Sequence, residues 1–320
     1  MPMVFDFQHL TNLNPSTGWS IRSGRFLQPG KAGILAVHNQ SGQLRVGEMV
    51  SATQMQFSAR NTKLDFLRGR FTAGNFVGSV LSDLVYYDPT SGALTLLETL
   101  PTAFSNPRPA GKMTPTTDWQ FCSGKFQSSA FDSLCGYHSA TGEIWVGKYA
   151  NATGFTFTKW ATVSPAAGWN FAAANFRDGA LSELVGYHPS NGTIWRGKNL
   201  GTGFQFELWT TLPTAGDWRL MAVDVAATGL GVLTAYQTAT GKLFQYYYPN
   251  TSPSPLVLDP RATVTPAAGW QFQSGEFDTN TGVDVIGYHP SNGSVWLGKE
   301  INKPQAPGKD PPPKGKDDWK

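Results

Sequence analysis

The sequence repeats itself six times, and this repetition constrains the fold more than any other feature. Three eight-residue segments, 135–142, 185–192 and 286–293, are nearly identical, and each closes on a glycine. Fainter copies of the segment close on Gly42, Gly92 and Gly241. The six closing glycines are 49 to 52 residues apart. A fixed period of this length indicates that one small structural unit recurs along the chain.

Two further positions recur ahead of these glycines and align the units along their whole length. Five units begin with a tryptophan, and these residues are Trp19, Trp119, Trp169, Trp218 and Trp270. A second apolar position recurs in every unit, and it is assigned to Phe26, Phe71, Phe126, Phe176, Val225 and Phe277. Because the order of these positions is constant, we expect the six units to share one structure.

Each unit is predicted to form four β-strands, which are called A to D in chain order. In the fourth unit, strand A covers 169–176, strand B 183–188, strand C 193–198 and strand D 204–209. Apolar residues alternate in strand A, a Pro-Ser-Asn-Gly turn follows strand B, and helical periodicity is absent. Four strands in a repeat of this length are typical of a β-propeller blade. The sequence therefore predicts an all-β, six-bladed β-propeller of four-stranded blades.

The two ends of the chain predict how the ring closes. Residues 4–10 match residues 154–160 at a constant offset, so the chain begins with a lone strand D. The sixth unit contains strands A, B and C but no strand D. We expect the N-terminal strand to complete the last blade, which removes exposed sheet edges. The propeller is thus predicted over 1–300, and the Pro/Lys-rich residues 301–320 are predicted to form a flexible tail.

Composition excludes several classes of protein. Charged residues make up 15% of the chain, and the formal net charge is only +3, which does not suggest a nucleic-acid surface. The high aromatic content of 13% argues against a long disordered chain. No apolar run is long enough for a membrane span. The N-terminus lacks the basic and apolar regions of a Sec signal peptide, so we expect a protein acting outside the cell either to leave by another route or to have a signal that precedes the given sequence.

The order of motifs resembles a known repeat family. A Trp-x-Phe strand, a phenylalanine, a loop and an Asp-Leu-Val-Gly-Tyr-like strand succeed one another, as they do at 169–187. This pattern is similar to the FG-GAP/VCBS repeats, which form the propellers of integrin α-subunits and of many bacterial and fungal surface proteins. The resemblance extends over 4–300 and implies a secreted propeller. Propeller lectins are similar in build and bind ligands between blades or at turns.

The same resemblance implies one candidate metal site. Members of the family often bind Ca²⁺ in the loop between strands A and B through a run of acidic residues. The loop at 277–284 comes nearest to such a run, with Asp278, Asn280 and Asp284 as candidate ligands. The alternative is that these are ordinary turn residues, because calcium needs several oxygen ligands and most acidic ligands of the family are missing here.

Histidine and tryptophan recur together around the turn between strands B and C in three units. The candidate ligand-binding residues are His138, Trp145, His188, Trp195, His289 and Trp296. A four-residue turn places each of these tryptophans opposite a glycine of strand B, an aromatic side chain over bare backbone. In the other units the same register predicts the pairs Ala36–Arg45, Tyr86–Thr95 and Ala235–Phe244. Strand alternation then puts the histidine and the tryptophan on one blade face. An indole beside an imidazole suits a sugar ring, which stacks on the indole and bonds the imidazole through a hydroxyl.

Structural roles compete with this interpretation. Tryptophan is largely buried on average and can pack between blades, and the histidines can instead cap the turn. Cys122 and Cys135 lie on strands A and B of one blade, where they form either a disulfide or two free thiols. Two cysteines are too few for a disulfide scaffold or a cysteine-based zinc site.

No catalytic motif is present. The chain lacks a P-loop, a G-x-S-x-G motif and an H-E-x-x-H motif, and no recurring carboxylate pair accompanies the histidines. The sequence therefore predicts a non-catalytic lectin that binds neutral glycans or glycosylated surface proteins, with several weak sites that act together. One alternative is a protein–protein or receptor-binding scaffold of a toxin or secretion assembly, tethered by the basic tail. Another is a glycan hydrolase or lyase with carboxylates gathered at the axis. The oligomeric state stays open.

Overall fold

The computed structural model describes most of the chain. The described residues are 3–14, 17–63, 69–78, 80–165, 168–176, 180–212, 218–225, 228–247, 259–266, 269–278 and 282–302. They form six separate four-stranded antiparallel sheets arranged as a six-bladed β-propeller, which confirms the predicted fold class. The described part contains no α-helix, and so no helix capable of crossing a membrane.

The strands follow the predicted order. Blade 1 contains β2 (Trp19–Gly24), β3 (Gly33–His38), β4 (Gln43–Ser51) and β5 (Gln54–Lys63). Blade 2 contains β6 (Arg70–Gly74), β7 (Asp83–Tyr87), β8 (Ala93–Leu97) and β9 (Arg108–Lys112). Blade 3 contains β10 (Trp119–Gly124), β11 (Ser133–His138), β12 (Glu143–Ala150) and β13 (Gly154–Thr162). Blade 4 contains β14 (Asn170–Ala174), β15 (Glu183–His188), β16 (Thr193–Asn199) and β17 (Phe204–Thr211). Blade 5 contains β18 (Trp218–Asp224), β19 (Gly231–Gln237), β20 (Lys242–Tyr247) and β21 (Asp259–Thr263). Blade 6 contains β22 (Gln271–Gly275), β23 (Asp284–Tyr288), β24 (Ser294–Asn302) and, as strand D, β1 (Met3–Asn12).

The N-terminal strand closes the ring, as the sequence predicts. Nine residue pairs join β1 to β24, from Met3 opposite Asn302 to Asn12 opposite Ser294. The pairing extends two residues past the predicted domain boundary at residue 300. The rest of the predicted tail, 303–320, lies outside the described residues. Closure by pairing the two ends of the chain leaves blade 6 with the same four strands as the other blades.

The A strands surround the axis and are tied to one another by side chains. Each A strand contacts the A strands of the blades before and after it. The backbone N–H of Ile21 donates to Gln271 Oε1 at 3.1 Å, and that of Leu220 donates to Asn170 Oδ1 at 3.1 Å. These amides satisfy backbone groups on the inner edge of the sheets, which would otherwise be unpaired.

The core lies between the blades rather than within any one of them. The apolar position that follows strand A is fully buried at Phe26, Phe126, Phe176 and Phe277. In blade 2 this position is Phe76, so the assignment to Phe71 is wrong. Phe71 lies on strand A, opposite Tyr86. Blade 2 lacks the tryptophan that marks strand A in the other units, so the sequence offers no fixed point for aligning this unit. The predicted position therefore lies five residues before the observed one.

Candidate functional site

The predicted register of the hairpin between strands B and C is confirmed in all six blades. Glycine of strand B lies opposite tryptophan of strand C in three blades, in the pairs Gly136–Trp145, Gly186–Trp195 and Gly287–Trp296. The other blades contain the pairs Ala36–Arg45, Tyr86–Thr95 and Ala235–Phe244. The aromatic ring that fills the space over the glycine belongs to strand A, however. A Cβ added to Gly186 would overlap the ring of Phe171.

The histidines pack against the strand A tryptophans, a contact that the sequence analysis did not anticipate. The ring centroids of His138 and Trp119 are 4.7 Å apart, and those of His188 and Trp169 are 4.8 Å apart, both edge to face. His289 and Trp270 are 4.6 Å apart in the same geometry. The signal that could have revealed this contact is the A–B register, which places Trp119 opposite His138.

Each of these histidines also caps its turn. The Nδ1 atom of His138 lies 3.1 Å from Thr141 Oγ1, and that of His188 lies 3.0 Å from Ser190 Oγ. His289 Nδ1 lies 2.8 Å from Ser291 Oγ. The capping alternative is therefore borne out for one ring nitrogen. Over the described ranges, the Nε2 atoms of the three histidines make no hydrogen bond, which leaves one polar atom per ring for another partner.

The strand C tryptophans are partly exposed, and their N–H groups are already satisfied. Trp145 Nε1 donates to Glu143 Oε2 at 3.1 Å, and Trp195 Nε1 donates to Thr193 Oγ1 at 2.9 Å. Trp296 Nε1 donates to Ser294 Oγ at 3.0 Å. In each case the acceptor lies two residues earlier on the same strand face. The indole is thus fixed in orientation, and its remaining interactions are those of a flat apolar ring.

The residue opposite each strand C tryptophan on strand D differs between the three blades. Lys159 occupies this position in blade 3, and its ammonium lies 3.3 Å from Glu143 Oε1. Hydrogen bonds from Trp145 and Lys159 lower the pKa of Glu143. Leu208, which is 54% exposed, occupies it in blade 4, and His9 in blade 6. The ring centroids of His9 and Trp296 are 5.3 Å apart. Each of the three faces thus has a tryptophan on strand C, but the strand D residue beside that tryptophan differs from blade to blade.

An aromatic side chain also borders open space in blade 5. Phe244 takes the strand C position there, and its ring lies 5.5 Å from that of Trp218. A groove of about 420 Å³ lies beside it, lined by Lys242, Phe244, Pro260, Arg261, Ala262 and Thr263. Blade 5 has Gln237 in place of the histidine, so it repeats the aromatic half of the arrangement without the imidazole.

Two of the three candidate calcium ligands, Asp278 and Asp284, lie among the described residues. Asp284 is buried, accepts a hydrogen bond from the backbone N–H of Glu300 at 3.2 Å, and also accepts from backbone N–H groups of its loop. Burial, reinforced by the nearby Asp278, raises the pKa of Asp284 to about 7. Lys299 Nζ lies 3.7 Å from Asp278, and Asn280 lies outside the described residues. Of the two described carboxylates, one thus lies beside an ammonium group and one caps a loop. Because Ca²⁺ takes six or more oxygens and residues 279–281 lie outside the described part, the calcium site stays a prediction.

The two cysteines face each other directly across strands A and B of blade 3. Cys122 pairs with Cys135 in the register, and both are free thiols. A hydrogen bond with Cys122, together with burial, raises the pKa of Cys135. Of the two options that the sequence left open, the structure thus contains the free thiols.

Carboxylates do approach one another at the end of the ring where the A–B loops lie. Asp132 Oδ2 accepts the backbone N–H of Asn75 at 2.7 Å, and Asp224 Oδ1 accepts that of Asn175 at 2.6 Å. Burial raises the pKa of both aspartates, and the charges of Lys125 and Arg25 oppose that shift. Each carboxylate thus joins neighbouring blades through a backbone group. This is the arrangement on which the hydrolase or lyase alternative would have to rest.

Comparison with known proteins shows the fold. No protein-family model matches the chain, and no curated protein sequence matches it, so the FG-GAP/VCBS repeat type is not confirmed. Among solved structures, AofleA from Arthrobotrys oligospora has a TM-score of 0.55 at 14% identity, over 94% of this chain and 87% of that one. The α-L-arabinanase of Penicillium chrysogenum complexed with arabinobiose has a TM-score of 0.56 at 10% identity, over 94% and 98%.

A third neighbour is much longer than this chain. The Photorhabdus luminescens Tc holotoxin pore has a TM-score of 0.59 at 13% identity, and the match covers 92% of this chain but only 14% of that one. At such low identities the likeness establishes the propeller alone. Because one architecture can support different activities, function has to be argued from the faces of the blades.

Proposed function

We propose that this protein is a binding propeller that recognises neutral glycans through the histidine–tryptophan faces of blades 3, 4 and 6. The observation that carries the proposal is the state of the strand C indoles. Trp145, Trp195 and Trp296 are partly exposed, yet each N–H is satisfied within its own strand. Trp145 and Trp195 also pack against the buried clusters beside them, so it is the exposed part of each indole that offers an apolar surface to the C–H face of a sugar ring.

The histidine supplies the polar half of the proposed site. Its Nδ1 atom is held by the turn, and the opposite nitrogen, Nε2, is left for a sugar hydroxyl. Binding pockets commonly combine an apolar surface with a few fixed polar groups. Three such faces on one rigid ring would bind a multivalent surface more tightly than a single sugar. Among the structural neighbours, the arabinanase holds the saccharide arabinobiose, which makes a saccharide a reasonable class of ligand for this architecture.

A glycan array of neutral sugars at high density tests the proposal. We expect the parent protein to bind a subset of these sugars, and Trp195→Ala to weaken binding about tenfold through loss of one linked site. Trp195→Leu retains apolar bulk but removes the flat ring, and it should weaken binding to a similar degree. Replacing Trp145, Trp195 and Trp296 together should abolish binding.

The chain offers a matched control at the same register position. Thr95 of blade 2 occupies the strand C position opposite Tyr86, so Thr95→Ala should leave glycan binding unchanged. Thermal unfolding of every variant establishes that the ring is intact. Glycan binding that survives in the triple tryptophan variant, or a folded parent protein that binds no sugar, would contradict the proposal.

One observation favours a second candidate function, a protein–protein scaffold. The A–B loops and the C–D connections lie at one end of the ring, opposite the B–C turns. Six of the seven exposed large apolar side chains in the described residues lie at this end, and they are Val50, Val80, Leu100, Phe131, Leu200 and Ile301. An end of the ring that exposes several apolar side chains is a candidate interaction surface. The Tc holotoxin pore, which contains a similar propeller, is compatible with this role.

A pull-down with three variants separates the two candidate functions. The scaffold hypothesis predicts a partner that is retained by the triple tryptophan variant and lost when Val80 and Leu200 are both replaced by aspartate. A chain ending at residue 302 tests whether the tail contributes to the same contact. Equal recovery of the partner by the aspartate variant would exclude this end of the ring as the docking surface.

A further inference from the structure

Blade 1 has an arginine at the position that tryptophan occupies in blades 3, 4 and 6. Arg45 lies on strand C opposite Ala36. Its guanidinium carbon lies 5.2 Å from the centroid of the Trp19 ring, within the range of a cation–π contact. Trp19 is 1% exposed and also contacts His38, whose ring centroid is 5.0 Å away. The aromatic and imidazole groups of the face are therefore present in blade 1, and a cation replaces the outer indole.

The guanidinium of Arg45 has no anionic partner within the ranges that the structure describes. Its Nε atom is buried and makes no hydrogen bond. Two buried arginines, by contrast, each face a carboxylate: Arg196 lies 3.7 Å from Glu183, and Arg261 lies 3.6 Å from Glu300. A guanidinium carries five N–H donors, and burying a charge without a partner is costly. Blade 1 thus contains a half-buried guanidinium that lies against an aromatic ring and has an unpaired Nε atom.

Strand D leaves more space in front of this cation than in the other faces. Ala59 lies opposite Arg45, whereas Lys159 and Leu208 take the corresponding positions in blades 3 and 4. The methyl group of Ala59 is too short to cover the guanidinium or to pair with it. The residue directly opposite Arg45 on the outer strand therefore contributes neither a charge nor a bulky side chain.

We propose that the face of blade 1 binds a sugar residue that carries an oxyanion, either a carboxylate or a sulfate ester, and that Arg45 is the residue that recognises it. The planar guanidinium matches two oxygens of such a group through parallel N–H···O bonds. The proposal rests on the glycan binding proposed above and adds a second ligand class to it. The ring would then combine neutral sites in blades 3, 4 and 6 with one acidic site in blade 1.

The experiment compares four surface-coupled probes at equal density: glucose, glucuronate, glucose 6-sulfate and acetate. We expect the parent protein to prefer glucuronate or glucose 6-sulfate over glucose about tenfold, the value of one charge-assisted pair. Arg45→Met keeps an unbranched apolar stem without the charged guanidinium, and it should remove the preference. Arg45→Lys keeps the charge without the fork and should retain only part of it. Raising the salt concentration should reduce the preference in the parent protein.

The controls separate this proposal from the previous one. Arg108→Met removes an arginine that already pairs with Glu98 at 3.3 Å, and it should leave the preference intact. Trp195→Ala should weaken binding of neutral sugars and leave binding of the acidic probes to blade 1 unchanged. The proposal is overturned if the parent protein shows no preference for the acidic probes, or if the preference survives in Arg45→Met. Arg45 would then serve only to pack against Trp19. Equal binding to acetate would show a non-specific anion effect and overturn it as well. Failure of neutral glycan binding alone would overturn the previous proposal, not this one.

Discussion

Removal of the N-terminal strand tests the architecture most directly, because β1 is distant in sequence from the blade that it completes. A chain starting at residue 13 would lose all nine residue pairs with β24. It would also lose Phe5 and Leu10, which are 6% and 7% exposed. Burial of two such side chains stabilises the fold by about 3 to 6 kcal/mol, which is comparable to the whole stability of many domains, about 5–15 kcal/mol. We expect the truncated chain to unfold or to associate through the exposed edge of β24.

The assay is thermal unfolding followed by near-ultraviolet circular dichroism, together with size-exclusion chromatography. A synthetic peptide of residues 1–14 added to the truncated chain should restore the transition, because it supplies the missing strand. Deletion of 303–320 is the matched control and should leave the transition temperature within experimental error. A truncated chain that stays monomeric and keeps the parent's transition temperature would refute the reasoning, since an outer strand would then contribute nothing to closure.

Two further predictions concern stability. The pKa of Asp284 is raised from 3.8 to about 7 in the folded protein, so the folded state favours the protonated carboxyl. The contribution of this group to the free energy of unfolding is largest below pH 4 and is lost as the pH rises through 7. The free energy of unfolding of Asp284→Asn, relative to that of the parent, should therefore rise by about 4 kcal/mol between pH 4 and pH 8 in urea unfolding. A difference between the two proteins that does not change with pH would contradict the burial of that carboxyl. Gly142 has φ of 73°, and an added Cβ would overlap the carbonyl of Val163, whereas Gly201 has φ of 86° and open space around it. Gly201→Ala should lower the free energy of unfolding by about 1–2 kcal/mol, and Gly142→Ala should lower it clearly more. Equal losses of stability would refute the predicted overlap.

The repeat predicted the fold because every blade places similar residues at the same positions of its four strands. Glycine, tryptophan and phenylalanine recur at nearly fixed spacing, and this spacing marks where each strand and turn of the blade lies. The turn between strands B and C is short, so its length fixes the register, and all six predicted pairs are found. The match between residues 4–10 and residues 154–160 identified the N-terminal segment as a strand D, and so predicted that it completes the last blade.

The candidate site was predicted less completely, because it depends on contacts between strands that no short turn connects. The A–B loop of blade 3 separates β10 from β11 by eight residues, and loop length alone does not determine which residues lie opposite each other. The pairing of Trp119 with His138 therefore appears only in three dimensions. The exposure of Trp145 and the covered state of Trp19 likewise depend on neighbouring side chains from other parts of the ring.

The two candidate functions use opposite ends of the ring and can therefore operate together. The histidines lie beside the B–C turns, where Ser and Thr side chains hold the imidazoles, whereas the exposed apolar residues Val80 and Phe131 lie at the A–B loops. A ligand bound at one end leaves the other end uncovered, because the strands of each blade separate the two. Saturation with a glycan should therefore leave the affinity for a protein partner unchanged. Competition between the two ligands would mean that they share one surface, and then at least one of the assigned faces is wrong.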